Sequence, residues 1–212
     1  MEPTHPLLDR LLARGRRHRP VIGAHRGASA RAPENTLAAF GAALEDEAEL
    51  VELDVHLTRD GQLAVIHDEE TRRTTGTAGV VAELSMAELR QLDAGRHKGQ
   101  QWAGEPIPEL DDVFAAVRGR LLVNVEVKCG AAAVPPLARC VAEHDMADAV
   151  IVSSFDPAVV RAVAALVDLL HQAGLGALAW TVNAPGEMRR LAALGVDAIL
   201  SDDPRRLRTI VG

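Results

Sequence analysis

Aromatic side chains are nearly absent: three Phe, two Trp and no Tyr make up 2 % of the 212 residues. Base-stacking platforms are therefore not expected. A formal net charge of −7 points the same way, because nucleic acid rewards basic surfaces, so no nucleic-acid partner is expected. Cysteine occurs only as Cys129 and Cys140, which form neither a disulfide framework nor a C-x-x-C metal spacing; two reduced thiols are the expectation. Lysine is confined to Lys98 and Lys128. No apolar run approaches the ~18 residues that a membrane-spanning helix needs, so no membrane insertion is expected. Within Met1–Pro20, Asp9 and Arg10 interrupt Leu7, Leu8, Leu11 and Leu12, and Arg14, Arg16, Arg17 and Arg19 follow them. That order reverses a secretory signal. It predicts a short helical lead-in over residues 1–20 and a cytoplasmic protein.

What is there is an ordinary globular composition, 48 % apolar and 25 % charged, sized for a single domain over 1–212. Short apolar runs predict strands at Val21–His25, Leu50–Val55, Leu63–His67, Leu121–Val127, Ala149–Ser153, Gly176–Val182 and Ala198–Ser201. Helical periodicity marks Thr36–Asp46, Ser85–Leu92, Leu110–Val117, Pro136–Glu143, Val159–Ala173 and Glu187–Leu194. Asn35, Ser85 and Asp156 are the expected N-caps. Such alternation predicts a parallel sheet covered by helices, as an α/β barrel or an open doubly wound sheet.

The strand ends favour the barrel. His25-Arg26, Glu52 and Asp54, His67-Asp68, Glu126 and Lys128, Ser153-Ser154, Thr181 and Asn183, and Ser201 to Asp203 all fall at or near the ends of runs. A barrel builds its active site from the C-terminal ends of several strands. One connection is too short for a crossover helix. There, Asp60-Gly61 signals a two-residue hairpin, which would set Asp54 opposite His67. Residues 71–109 form a long excursion on the active-site side, containing one short helix.

Glu52 and Asp54, two apart, face the same side of a strand. Their repulsion asks for a cation, with Glu126 as a third oxygen ligand; oxygen-only ligation suggests one Mg²⁺ or Ca²⁺. The alternative is simple pairing with Arg26 and Lys128. His25 and His67 can exchange protons near neutral pH, and Arg26 and Lys128 suit a phosphate. Together these groups point to phosphoryl chemistry. His56 shares the parity of Glu52 and Asp54 but is expected beyond the barrel end. His5, His18, His97, His144 and His171 are expected at the surface. Ser153 and Ser154 lack a G-x-S-x-G elbow.

"HRG" at 25–27, "PENT" at 33–36, "ELDV" with "LTRDG" at 52–61, "HD" at 67–68, "NVEVK" at 124–128, "SSF" at 153–155, "WTVN" at 180–183 and "SDDP" at 201–204 occur in this order. The series resembles the glycerophosphodiester phosphodiesterase family. The resemblance implies a TIM-type (β/α) barrel that hydrolyses a small glycerophosphodiester to an alcohol and glycerol 3-phosphate. It implies Glu52, Asp54 and Glu126 as ligands of the divalent ion, and His25 and His67 as the acid–base pair. Arg26 would meet the phosphate and Lys128 would steady developing charge. Glu34 and Asn35 would support the site, and Trp180 would flank the glycerol. Only residues 156–179 separate Phe155 from Trp180, where the family has a further strand and helix; Ala164–Val167 looks like the seam. A distorted or incomplete barrel, a homodimer covering the gap, or a chain that folds poorly is therefore expected. Two rival readings fit the same residues: an impaired relative that binds metal or phosphodiester, and a phosphodiesterase acting on lysophospholipids.

Overall fold

The computed structural model describes residues 23–159, 162, 176–179, 184–194, 198–199 and 210. Among these residues seven strands form one sheet: β1 Gly23–His25, β2 Leu50–Leu57, β3 Leu63–Val65, β4 Leu122–Val127, β5 Val150–Ser153, β6 Gly176–Ala179 and β7 Ala198–Ile199. Neighbours run β1-β2-β4-β5-β6-β7, every pair parallel, with β3 antiparallel on β2. This order follows the chain without reversal. A doubly wound sheet reverses its order at a switch point, whereas a barrel winds one way. Among the described residues six parallel strands stand where a complete barrel has about eight, and no β1–β7 ladder closes the ring.

The α-helices among the described residues are α1 Leu37–Glu45, α2 Arg72–Thr75, α3 Met86–Leu89, α4 Leu110–Val117, α5 Val134–Glu143 and α6 Pro185–Ala193. α4 shows why they lie on the sheet. Leu110, Val113, Phe114 and Val117 are fully buried at i, i+3, i+4 and i+7, one helical face. They share the main core with Val51, Leu53 and Val55 of β2 and Val123, Val125 and Val127 of β4. Burying a Phe114-sized side chain contributes roughly 1.5–3 kcal/mol. The odd-numbered residues of β2 and β4 thus serve the core, which leaves the even-numbered ones for the opposite face.

Three local expectations are corrected. The N-cap of α1 is Thr36, not Asn35: Thr36 is extended and its Oγ1 accepts from Ala39 N at 3.3 Å. Asn35 has φ +57° and turns its side chain to β2. Ser85 does cap α3, with a reciprocal bond to Glu88, and Asp156 Oδ1 accepts from Ala158 N. The hairpin register differs by one residue. Val55 pairs with Val65, and Ile66 N donates to Asp54 O, so Asp54 lies opposite Ile66 rather than His67. The cause is Gly61 at φ +79°, which ends the Thr58–Gly61 turn as the left-handed residue of a three-residue loop closed by Thr58 N to Gln62 O. The excursion holds two short α-helices, α2 and α3, and two 3-10 turns, Val81–Glu83 and Gln100–Trp102, rather than one helix. It has its own core of Ile66, Val81, Met86, Leu89, Ala94 and Ile107.

His144 is not a plain surface residue: its Nε2 bonds Asp111 Oδ1 at 2.9 Å and its ring meets Phe114 edge-on. Val21, Trp180, Thr181, Asn183, Ser201–Asp203, His5, His18, His171, the lead-in 1–20, most of the 159–173 helix and the seam at Ala164–Val167 lie outside the described residues.

Candidate active site

Register assembles the site. His25 pairs with Glu52 and Glu52 with Asn124; one rung on, Asp54 pairs with Glu126 and Glu126 with Ser153. Neighbouring parallel strands lie ~4.8 Å apart, so these even-face side chains converge. Glu52, Asp54 and Glu126 each bring a carboxylate oxygen within 4.8 Å of the other two. Ser153 Oγ donates to Asn124 Oδ1 at 2.9 Å beneath them.

Three loops bring the remaining groups. After β1 the chain turns through two left-handed residues, Arg26 at φ +56° and Gly27 at φ +76°. Arg26 is held there by its N–H on Glu52 Oε2 (3.0 Å) and by Asn35 N on its carbonyl (3.0 Å). Strain of this kind persists where surroundings over-determine it. Gly27 is required by a close approach: a Cβ would sit 2.7 Å from the Ala39 carbonyl carbon of α1. The Arg26 guanidinium reaches Glu34 (Nη1–Oε1 2.9 Å) and Asp54 (Nε–Oδ2 3.4 Å). Asn35 clamps Asp54 by Nδ2 on Oδ2 at 2.8 Å and by Oδ1 under the Asp54 N–H at 3.4 Å. Lys128 Nζ lies 2.6 Å from Glu126 and 3.1 Å from Asp54 Oδ1. His25 is open to solvent, with Nε2 3.9 Å from Glu52.

His67 joins from the hairpin exit. Its Nδ1 donates to Asp68 Oδ1 at 2.6 Å, since an ionised carboxylate only accepts; that leaves Nε2 free to take or give a proton. Its backbone carbonyl accepts from buried His56 Nε2 at 3.0 Å, the use the structure makes of His56. Arg73, absent from the sequence-based site, grips Asp68 on one side and Glu34 on the other. A run of ion pairs thus leads from His67 to Arg26 and the carboxylate trio. Asp68 stands in the "HD" motif, but "TRRTTG" carries no periodicity that singles out Arg73 over Arg72.

Electrostatics mark where a cation belongs. Burial, then the Asp54 charge, pushes the Glu52 carboxyl up to about 7. Hydrogen bonds from Arg73 hold Glu34 and Asp68 down at about 2. Burial opposes the Lys128 charge, but its bond to Glu126 and the Asp54 charge outweigh it and raise the ammonium above its ordinary range. The ion-pair alternative therefore holds for Asp54, yet it does not exhaust the site. Glu52 meets only the Arg26 N–H and the His25 ring among the described residues, and buried Asp54 Oδ1 has no aligned hydrogen bond. Five carboxylates (Glu34, Glu52, Asp54, Asp68, Glu126) face three fixed cations (Arg26, Arg73, Lys128). With all five ionised, two negative charges would be left over, the charge of one divalent ion. The oxygen-only donor set fits a hard cation.

The model of the glycerophosphoryl diester phosphodiesterase family matches residues 25–135 and 133–206. The chain belongs to this family. It is a phosphodiesterase, a phosphoric diester hydrolase. The glycerophosphodiester phosphodiesterase of Caldanaerobacter subterraneus subsp. tengcongensis is 35 % identical over 236 residues, covering 90 % of this chain and 97 % of that one. That alignment is longer than the 212-residue chain, so the relative carries residues this phosphodiesterase lacks. The Bacillus altitudinis glycerophosphodiester phosphodiesterase is 32 % identical, covering 87 % of this chain and 95 % of that one. A phosphodiesterase of Oleispira antarctica, solved in complex with the product sn-glycerol-3-phosphate, superposes with a TM-score of 0.66 at 28 % identity. It covers 91 % of this chain and 96 % of that one. The fold is accordingly the TIM barrel of this family in distorted form, unclosed by strand hydrogen bonds among the described residues.

Proposed function

We propose that this phosphodiesterase hydrolyses small glycerophosphodiesters to an alcohol and glycerol 3-phosphate, with one Mg²⁺ or Ca²⁺ held by Glu52, Asp54 and Glu126. The observation carrying this reading is the meeting of those three carboxylates beside His25, Arg26 and Lys128. When bound, the ion would polarise a phosphoryl oxygen and neutralise charge. Arg26 offers a guanidinium to the phosphate, and Lys128 a movable ammonium to the charge that builds on its oxygens. Exposed His25 and half-exposed His67 (71 % and 32 %) are the acid and base, each with a ring nitrogen that can face a substrate. Glu34 and Asn35 hold Arg26 and Asp54 in place. Trp180 is assigned to the glycerol side on its motif alone.

The same proposal keeps the chain as a single domain over 1–212, in the cytoplasm, and as a homodimer across the shortened wall. The free thiols of Cys129 and Cys140 suit a reducing compartment. No described helix is long and apolar enough to cross a membrane. The sheet edge left unpaired among the described residues is what a second copy would cover.

The test is glycerol 3-phosphate release from a headgroup panel, with and without chelator, beside a lysophospholipid. Release of glycerol 3-phosphate that chelator abolishes, and that falls at least a hundredfold in His25→Ala, is expected. Unchanged turnover in that variant removes its acid–base role; preferential turnover of the lysolipid overturns the substrate class.

A further inference from the structure

We infer that Arg73 is a positioning residue that sets His67 for proton transfer, an assignment that rests on the acid–base reading of His67 above. The Arg73 guanidinium makes two forked contacts. Nε and Nη2 reach Asp68 Oδ2 and Oδ1 at 2.5 and 3.2 Å, and Nη1 and Nη2 reach Glu34 Oε2 and Oε1 at 3.0 and 2.7 Å. Planar bidentate pairing fixes orientation as well as distance, which an isolated surface pair does not. Asp68 is therefore held with Oδ1 facing His67 Nδ1 at 2.6 Å. That bond selects the tautomer whose Nε2 is free.

The other end of the clamp is equally fixed. Glu34 Oε1 also accepts from Arg26 Nη1 at 2.9 Å, so the anchor of Arg73 is tied to the loop after β1. The backbone carrying Arg73 is pinned by fully buried Thr71, whose N–H donates to Gly79 O and whose Oγ1 donates to Thr77 O at 2.7 Å. The excursion thus returns to the barrel mouth as a fixed arm whose guanidinium joins two catalytic loops. Without it, Asp68 can rotate about its own side-chain bonds, and His67 loses the acceptor that fixes its ring.

The experiment is a double-mutant cycle of Arg73→Met and His67→Ala, reading kcat and KM on glycerophosphocholine. Arg73→Met is expected to lower kcat 10- to 100-fold with KM changed less than threefold. In the His67→Ala background it should change kcat less than twofold, because it acts through that ring. Arg73→Lys keeps the charge and the fold but not the fork, and should still lose at least threefold in kcat. Equal losses from Arg73→Met in both backgrounds, or full kcat in Arg73→Lys, overturn the inference while leaving the acid–base reading intact. Full activity in His67→Ala alone overturns that reading and the inference with it. Long-range ¹H–¹⁵N spectra supply a second readout: one His67 tautomer in the parent and a mixture in Arg73→Met.

Discussion

Replacing Gly27 by Ala should be among the most damaging single-methyl changes in the described part of the chain. Gly27 sits at φ +76°, which costs a residue with a Cβ about 1–2 kcal/mol. The added Cβ would also lie 2.7 Å from both the carbonyl carbon and the Cβ of Ala39, and 2.8 Å from its oxygen. These are atoms of α1, mostly backbone, that cannot rotate aside. Ala28 N donates to that same oxygen at 2.9 Å, so any retreat breaks the bond docking the turn onto the helix. Overpacking of this kind costs roughly 1–3 kcal/mol, for a total of about 2–5 kcal/mol. Gly61→Ala is the control. It has nearly the same φ, +79°, and nothing within 4 Å, so only the same backbone strain, about 1–2 kcal/mol, is expected. Urea titrations of both variants, compared at constant slope, measure the difference. Costs within about 0.5 kcal/mol of each other would show that the approach to α1 is not tight and refute the packing argument. Gly27→Ala should also lower kcat/KM at least tenfold, because His25 and Arg26 are carried on the displaced turn.

Asn35→Ala removes both bonds to Asp54 and leaves a buried carboxylate short of donors, so a loss of about 1–3 kcal/mol is expected in the same titration. Glu34 and Asp68 have carboxyls held at about 2 in the folded chain. Their contribution is complete above the ordinary carboxylate range, near pH 4–5, and is lost as pH falls towards 2. Arg73→Met should shrink that slope without abolishing it, because Arg26 still bonds Glu34 and His67 still bonds Asp68, and thermal melts between pH 2 and 6 check it. Millimolar Mg²⁺ or Ca²⁺ should raise the melting temperature of the parent, and Glu126→Gln should blunt the rise; equal shifts in both would place the ion elsewhere.

Much of the site is legible before folding because its encoding is local. Glu52 and Asp54 share a face by strand parity, and Ser85 with Glu88 announces a helix start by spacing alone. The misreadings have local causes too. Asn35 and Thr36 are both good caps, and only the fold shows that Asp54 recruits the asparagine, leaving the threonine for α1. Asp60-Gly61 fits two kinds of hairpin loop, and the choice between them shifts every later pairing by one residue. Arg73 had no local signal at all. Its partners are 5 and 39 residues away, on different loops.

The sequence by itself determined the alternation of strands and helices, the polar strand ends and the family they spell, since periodicity and turn chemistry act over a few residues. Tertiary structure alone decided that Asp54 faces Glu126, that Asn35 braces Asp54, and that Arg73 ties His67 to Arg26. Those meetings depend on sheet register and on the packing of the 71–109 excursion against the barrel mouth, which bring together groups dozens of residues apart.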